Sequence, residues 1–351
     1  MKILKYVDSL DINVFRLKCQ AIALLLSLYA FTAQAAELVM INGDRLTGTV
    51  ESLGKGIFKF RTEYAGVITV EWNKVESLTT EKEVIVLTND DQMFSGTLVA
   101  KPGKNIKVQT SNGQVLEVLE DNIAYINPED WRIGKATKHS GHANFALKLD
   151  WGTSDNDTLD ADFDHVARKK SSRASIYAQL EYDTSKGEKT EDKWSVLGKQ
   201  DWFVEDSKRF YSFSAFAEHN WSRGIELRYN VGPSIGYQWW ESDEKNMSLE
   251  WGLYWVSTNL QNEDTYSNLG TGWRIIYDQY LYKKYLQAYH RQSSILSNRE
   301  NMNFKSVTGL RLPLYSGFLA SAELEANWDA ETGKETNDGE FITRLKLGYG
   351  W

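Results

Sequence analysis

The chain ends in "FITRLKLGYGW", Phe341 to Trp351. Along it Phe341, Thr343, Leu345, Leu347, Tyr349 and Trp351 fall on one face of a strand, and Ile342, Arg344, Lys346, Gly348 and Gly350 on the other. An aromatic strand that runs to the last residue offers an edge that recruits other chains unless it is paired. The sequence therefore predicts a closing strand, bonded to another strand of the same chain.

Working outward, the opposite end supplies an address. After Lys2, Lys5, Arg16 and Lys18 comes the apolar run "AIALLLSLYAF", Ala21 to Phe31, and then Ala33-Gln34-Ala35. This is the layout of a secretory signal peptide over 1–35, with cleavage after Ala35; an uncleaved anchor would need about 20 apolar residues. Cys19 precedes the apolar run, so the mature chain is expected to carry no cysteine, which fits an oxidising compartment.

Of the 351 residues 25% are charged, with a formal net charge of -8, and no later segment is apolar enough for a spanning helix. Most of the 13 Trp and 18 Tyr nevertheless fall beyond residue 130, in short alternating stretches. That is the pattern of an antiparallel transmembrane β-barrel with aromatic girdles. About twelve strands are predicted, at 142–151, 158–168, 173–183, 193–203, 209–220, 227–240, 247–257, 269–280, 284–292, 302–312, 317–328 and 340–351. Outward faces read Phe145, Leu147, Leu149, Trp151 in the first and Leu249, Trp251, Leu253, Trp255 in the seventh; the phases of the second and ninth are ambiguous. Connections after odd strands, such as Thr184 to Asp192 and Asp329 to Gly339, read longer than Glu205 to Lys208 or Tyr315 to Gly317. Long loops face outward and short turns face the periplasm, which puts Trp351 and the domain ahead of the barrel, residues 36–128, on the periplasmic side.

Before the barrel the period changes. "ELVMINGDRLTGTV" (Glu37 to Val50) returns as "EVIVLTNDDQMFSGTLV" (Glu83 to Val99), and Gly48, Val70 and Val75 recur as Gly96, Val118 and Ile123, each 48 residues on. Two small β repeats, 36–82 and 83–128, are expected, followed by a linker at 129–141 and the barrel at 142–351. The whole chain is thus read as all-β. "NGDRLTGTV" resembles the first strands of Sm-like and SH3-like barrels. The RNA binding this implies is excluded by charge: acids outnumber bases by about four over 36–128, and no basic patch is present. A contact surface for an envelope protein or polymer, or a structural base, fits better.

The signal peptide, the leader with "NGDRLTGTV", the Trp-rich strands and the closing "LKLGYGW" together resemble the salt-induced (YdiY-like) outer-membrane β-barrel family, over residues 135–351. The resemblance implies an outer-membrane location, contact with its lipid and with barrel-assembly machinery that reads Leu347, Tyr349 and Trp351, and a periplasmic N-terminal domain. It brings no activity and no catalytic residue.

Chemistry is sparse. His139 and His142 form H-x-x-H, but alternation sends them to opposite faces, and no third ligand is near, so no metal is expected. His165, His219 and His290 lie on separate strands and could meet in the lumen. His219 near Ser212 and Ser214 is the nearest approach to a hydrolase pair, and no G-x-S-x-G elbow occurs. No cofactor or catalytic residue is assigned, and the chain is read as no enzyme.

The polar face carries Lys148, Asp150, Asp160, Asp162, Asp164, Glu181, Lys199, Asp201, Arg228, Glu250, Arg274, Asp278 and Arg311, with Glu323, Glu325, Arg344 and Lys346 at the seam. A narrow, weakly selective channel is the leading expectation. A closed barrel anchoring the repeats is the alternative, and an outer-membrane hydrolase the third. At the seam, Trp328 is expected opposite Phe341, Ala326 opposite Thr343, Leu324 opposite Leu345 and Phe318 opposite Trp351, so that Glu325 and Glu323 meet Arg344 and Lys346.

Overall fold

The computed structural model describes residues 35–99, 105–149, 156–205, 207–242, 244–261, 263–282, 285–297, 302–330 and 339–351. The leader reading, with Cys19, lies outside these residues. The chain divides into two units, one up to Pro128 and one from Glu129 to Trp351.

The first unit contains β1 (Ala36–Met40), β2 (Arg45–Gly54), β3 (Ile57–Thr62), β4 (Gly66–Glu71), a 3-10 turn at Trp72–Lys74 and β5 (Val75–Thr79). The same series follows as β6 (Val84–Thr88), β7 (Met93–Val99), β8 (Asn105–Thr110), β9 (Val115–Leu119), a 3-10 turn at Glu120–Asn122 and β10 (Ile123–Ile126). In each half the first strand pairs with the second and the fifth, the second with the third, and the third with the fourth. Buried Leu38 and Val86, Phe60 and Val108, and Leu78 and Ile126 hold matching places, and all belong to one core. The halves are joined where β10 pairs with β2 through Tyr125↔Gly54 and Ile126↔Leu53. Gly48 and Gly96 show why the repeat keeps a glycine: a Cβ would stand 2.1 Å from the Arg61 carbonyl oxygen in one half and 2.2 Å from that of Gln109 in the other. Only a residue without a side chain lets the two strands approach so closely there.

The second unit is a closed barrel of twelve antiparallel strands, each bonded to its neighbours in sequence and the last to the first. They are β11 (Lys138–Leu149), β12 (Asn156–Arg168), β13 (Ser172–Ser185), β14 (Glu188–Phe203), β15 (Arg209–Asn220), β16 (Ile225–Glu241), β17 (Lys245–Leu260), β18 (Tyr266–Tyr282), β19 (Leu286–Leu296), β20 (Met302–Pro313), β21 (Phe318–Asp329) and β22 (Gly339–Gly350). Period-two alternation forms them. On β17, exposed Trp251, Leu253 and Trp255 alternate with buried Glu250, Gly252 and Tyr254, so the apolar set lies outside and the polar set inside.

Three features differ from the sequence reading. β11 begins at Lys138, so His139 and Ser140, within the stretch read as linker, are strand residues. The loop expected from Thr184 to Asp192 is a two-residue hairpin: Lys186 and Gly187 have φ of 51° and 77°, the left-handed pair of a tight turn, and the strands zip through the polar residues on either side.

The third is the seam. β21 and β22 pair with Trp328 opposite Gly339, Leu324 opposite Thr343, Glu323 opposite Arg344, Ser321 opposite Lys346 and Phe318 opposite Tyr349, two residues from the expected register. Alternation distinguishes only odd slips from even ones, because a slip of two leaves every side chain on its own face. What it cannot see is that Gly339 leaves room for the Trp328 ring, which a Cβ would meet at 3.2 Å. The expected ion pairs form all the same, reached diagonally: Arg344 to Glu325 at 3.0 Å and Lys346 to Glu323 at 2.8 Å.

The predicted pairing of the last strand is made at the closure of the barrel. β11 and β22 pair through His142↔Gly350, Ala143↔Tyr349, Asn144↔Gly348 and Phe145↔Leu347. Trp351 exchanges backbone hydrogen bonds with Gly141 at 3.1 and 3.2 Å, and its ring stacks on His165.

Candidate functional site in the barrel lumen

Inward residues from all around the ring meet in three tiers. At the end that carries the chain terminus, Arg168 on β12 makes a two-pronged bond to Glu241 on β16, at 2.8 and 3.0 Å. Beside it Arg173 on β13 donates to Asp201 on β14 at 2.6 Å and to Gln238 on β16 at 2.8 Å. Asp201 also accepts from Ser212 at 2.7 Å and lies 3.2 Å from Lys199, which pairs with Glu250; Glu250 in turn holds Arg274. Asp201 is wholly buried, and Lys199 and Glu250 nearly so.

In the middle tier Arg344 contacts Asp160 at 2.5 Å, Glu181 at 2.6 Å and Glu325 at 3.0 Å, while Lys346 contacts Asp160 at 2.9 Å, Asp162 at 2.6 Å and Glu323 at 2.8 Å. Lys193 on β14 stands 3.7 Å from Glu325 on β21, and Lys305 on β20 donates to Gln179 on β13 at 2.5 Å. At the far end Arg228 on β16 pairs with Asp329 on β21 at 2.7 Å and with Glu218 at 3.0 Å. In a ring of twelve, strands five places apart are almost opposite. Arg228–Asp329, Lys193–Glu325 and Lys305–Gln179 all span that distance, so they are bolts across the lumen rather than contacts along its wall.

Beside the Lys305–Gln179 bolt lies a cavity of about 240 Å³ lined by Asp162, Tyr177, Gln179, Arg274, Tyr289, Arg291, Lys305, Arg311 and Glu323, among others. Asp162, Asp164, Arg291 and Lys305 keep between a quarter and a third of their side-chain exposure here. Asp278 pairs with Arg291 at 2.7 Å; Arg311 bonds Gln287 at 3.0 Å and stacks over Tyr289.

The lumen residues named from sequence turn inward; Asp150 and the side chain of Lys148 lie outside the described residues. Sequence reading missed Arg168, Arg173, Lys193, Glu218, Glu241, Arg291, Lys305 and Asp329. Parity on the same strands would have found Arg168, Arg173, Lys193, Lys305 and Asp329, since each shares its phase with a residue already placed inside. Glu241 was out of reach of parity, because a bulge between Gln238 and Trp240 resets the phase.

The histidines correct a further expectation. His142 faces in, 3.1 Å from Asp164, but His165, His219 and His290 point outward and do not meet in the lumen. His165 lies with His139 (3.1 Å) and Trp351 on the outer face; His219 stacks on Trp194; His290 bonds Thr308 at 2.8 Å. Among the described residues no group of three or more His, Cys, Asp or Glu is placed to hold a metal ion. Leu347, Tyr349 and Trp351 occupy the outer face of the closing strand.

Fold and site define a closed antiparallel β-barrel, apolar outside and ion-paired within. The chain belongs to the family described as "Protein of unknown function, DUF481", whose model matches residues 143–351. Among solved structures it is similar to the translocator domain of the autotransporter NalP from Neisseria meningitidis, at 11% identity and a TM-score of 0.32, covering 61% of this chain and 87% of that one. It is also similar to the β domain of the Bordetella autotransporter BrkA, at 11% identity and 0.30 over 62% and 99%. CdiB from Acinetobacter baumannii matches at 9% identity and 0.27, over 86% and 65%. Comparison with curated proteins finds no match.

Proposed function

We propose that this chain is an outer-membrane β-barrel bolted shut by its own ion pairs, which anchors the N-terminal β unit in the periplasm as a binding or structural module. The observation that carries the reading is the set of cross-lumen contacts, Lys193–Glu325 and Lys305–Gln179 in the middle of the barrel and Arg228–Asp329 at its far end. A conducting pore keeps its polar lining wet, whereas Lys199, Asp201, Arg228, Glu250 and Glu325 have almost no access to water. An even strand number and an aromatic, apolar outer face support the membrane location. The leader over 1–35 and the shorter turns at the end bearing Trp351 support the orientation. Leu347, Tyr349 and Trp351 are the residues by which assembly machinery would recognise the terminus. The shared strand order in the two N-terminal halves supports two small barrel-like repeats, and their surface is where an envelope protein or polymer would bind. The reading assigns no catalysis and no cofactor, and places the chain with the salt-induced outer-membrane proteins it resembles.

One observation favours a second reading, a narrow, weakly selective channel. The cavity beside the Lys305–Gln179 bolt retains partly exposed charges of both signs. Planar-bilayer recording of the full chain separates the two. The bolted barrel gives no steps, whereas stable single-channel steps in the unaltered protein would overturn the anchor in favour of the channel.

A further inference from the structure

The outer face is apolar around most of the ring and breaks on β19 and β20. Tyr289 bonds Glu323 at 2.9 Å and Arg291 bonds Asp278, so both turn inward, and alternation turns His290, Gln292 and Ser294 outward. Across the strand pair, His290 stands opposite Thr308 and Gln292 opposite Ser306. Of these side chains His290, Gln292, Thr308 and Ser306 form one island on the surface, while Ser294 is buried. It lies within the strands rather than at their rims, between Ala288 and Leu296 on β19 and between Phe304 and Leu310 on β20. Hydrocarbon offers no partner to amides and hydroxyls.

We infer that this face is where two copies of the chain meet. A second copy fits the chemistry better than other occupants. Every group of the island is both donor and acceptor, and a two-fold axis through Gln292 lets two carboxamides bond reciprocally. His290 spends Nδ1 on Thr308 and keeps Nε2 for the partner. An anionic headgroup finds no cation on this face, because Arg291 and Lys305 point into the lumen. Ala320, Ala322 and Ala326, outward on neighbouring β21, continue the patch with small side chains that permit close approach.

The inference rests on the membrane reading, and one experiment tells their failures apart. The full chain carrying a photo-crosslinking residue at Gln292 is inserted into phospholipid vesicles and irradiated, with a second variant labelled at Leu253 on β17. Crosslinking at 292 to twice the chain mass, at least tenfold above that at 253, is the expected result. The variant His290→Leu/Gln292→Leu/Ser306→Ala, which presents only apolar groups to lipid, should insert equally well yet sediment as a monomer. Failure of the unaltered chain to insert would defeat the membrane reading itself. Insertion with equal crosslinking at both positions, or capture of lipid at 292, would overturn the dimer alone.

Discussion

Glu325 is 1% exposed, and three cations stand around it: Arg344 at 3.0 Å, Lys305 at 3.4 Å and Lys193 at 3.7 Å. A buried ion pair adds little net stability over an apolar pair, but removing one partner strands the others. Glu325→Ala should therefore cost about 3–5 kcal/mol, and Glu325→Gln less, because its amide oxygen still accepts from Arg344. Urea unfolding from vesicles measures both, and an alanine variant as stable as the parent would show that the network does not hold the wall. By contrast Arg45–Glu37 is largely exposed in both partners, and its loss should cost within roughly 1 kcal/mol. Glu325 was legible as an inward residue from parity alone. That it would reach Lys193 was not, because no local pattern says which strand lies across the lumen.

Among elements, the strands were the most legible part of the molecule. β15 was expected at 209–220 and is found at Arg209–Asn220, since its aromatic and small residues alternate without interruption. β19 was legible as a strand but not in phase: Tyr289 and His290 are both amphipathic, and the decision fell to Glu323, a residue 34 positions away that takes the Tyr289 hydroxyl. Register was the least legible property, as β21–β22 illustrates, because hydrophobic patterning is blind to a slip of two. The observed pairing makes a direct prediction. Cysteines at Leu324 and Thr343, which stand opposite each other, should form a disulfide under mild oxidation, while cysteines at Leu324 and Leu345 should not. Efficient closure of the second pair, read as a mobility change on unboiled gels, would restore the register that the sequence alone had indicated.

For the whole molecule, the question is whether the lumen is closed by volume or by charge, and the Arg228–Asp329 bolt can decide it. These side chains join β16 to β21, on nearly opposite walls, and both are almost completely buried. If pairing matters only because it neutralises charges taken out of water, then the double change Arg228→Met/Asp329→Leu, made with Glu218→Gln so that no carboxylate is stranded, should leave the barrel shut and as stable as before or more so, since apolar residues of similar size replace buried pairs without loss. Asp329→Leu alone should behave differently. Arg228 then keeps Glu218 at 3.0 Å but loses its partner across the lumen, so the barrel should lose on the order of 3–5 kcal/mol and admit brief, noisy current in planar bilayers. The two measurements together are more telling than either. A double variant that conducts steadily would mean that the bolt closes the barrel through its geometry, while a silent single variant would mean that the other two tiers suffice, with Lys193–Glu325 and Lys305–Gln179 holding the middle shut without help from the far end.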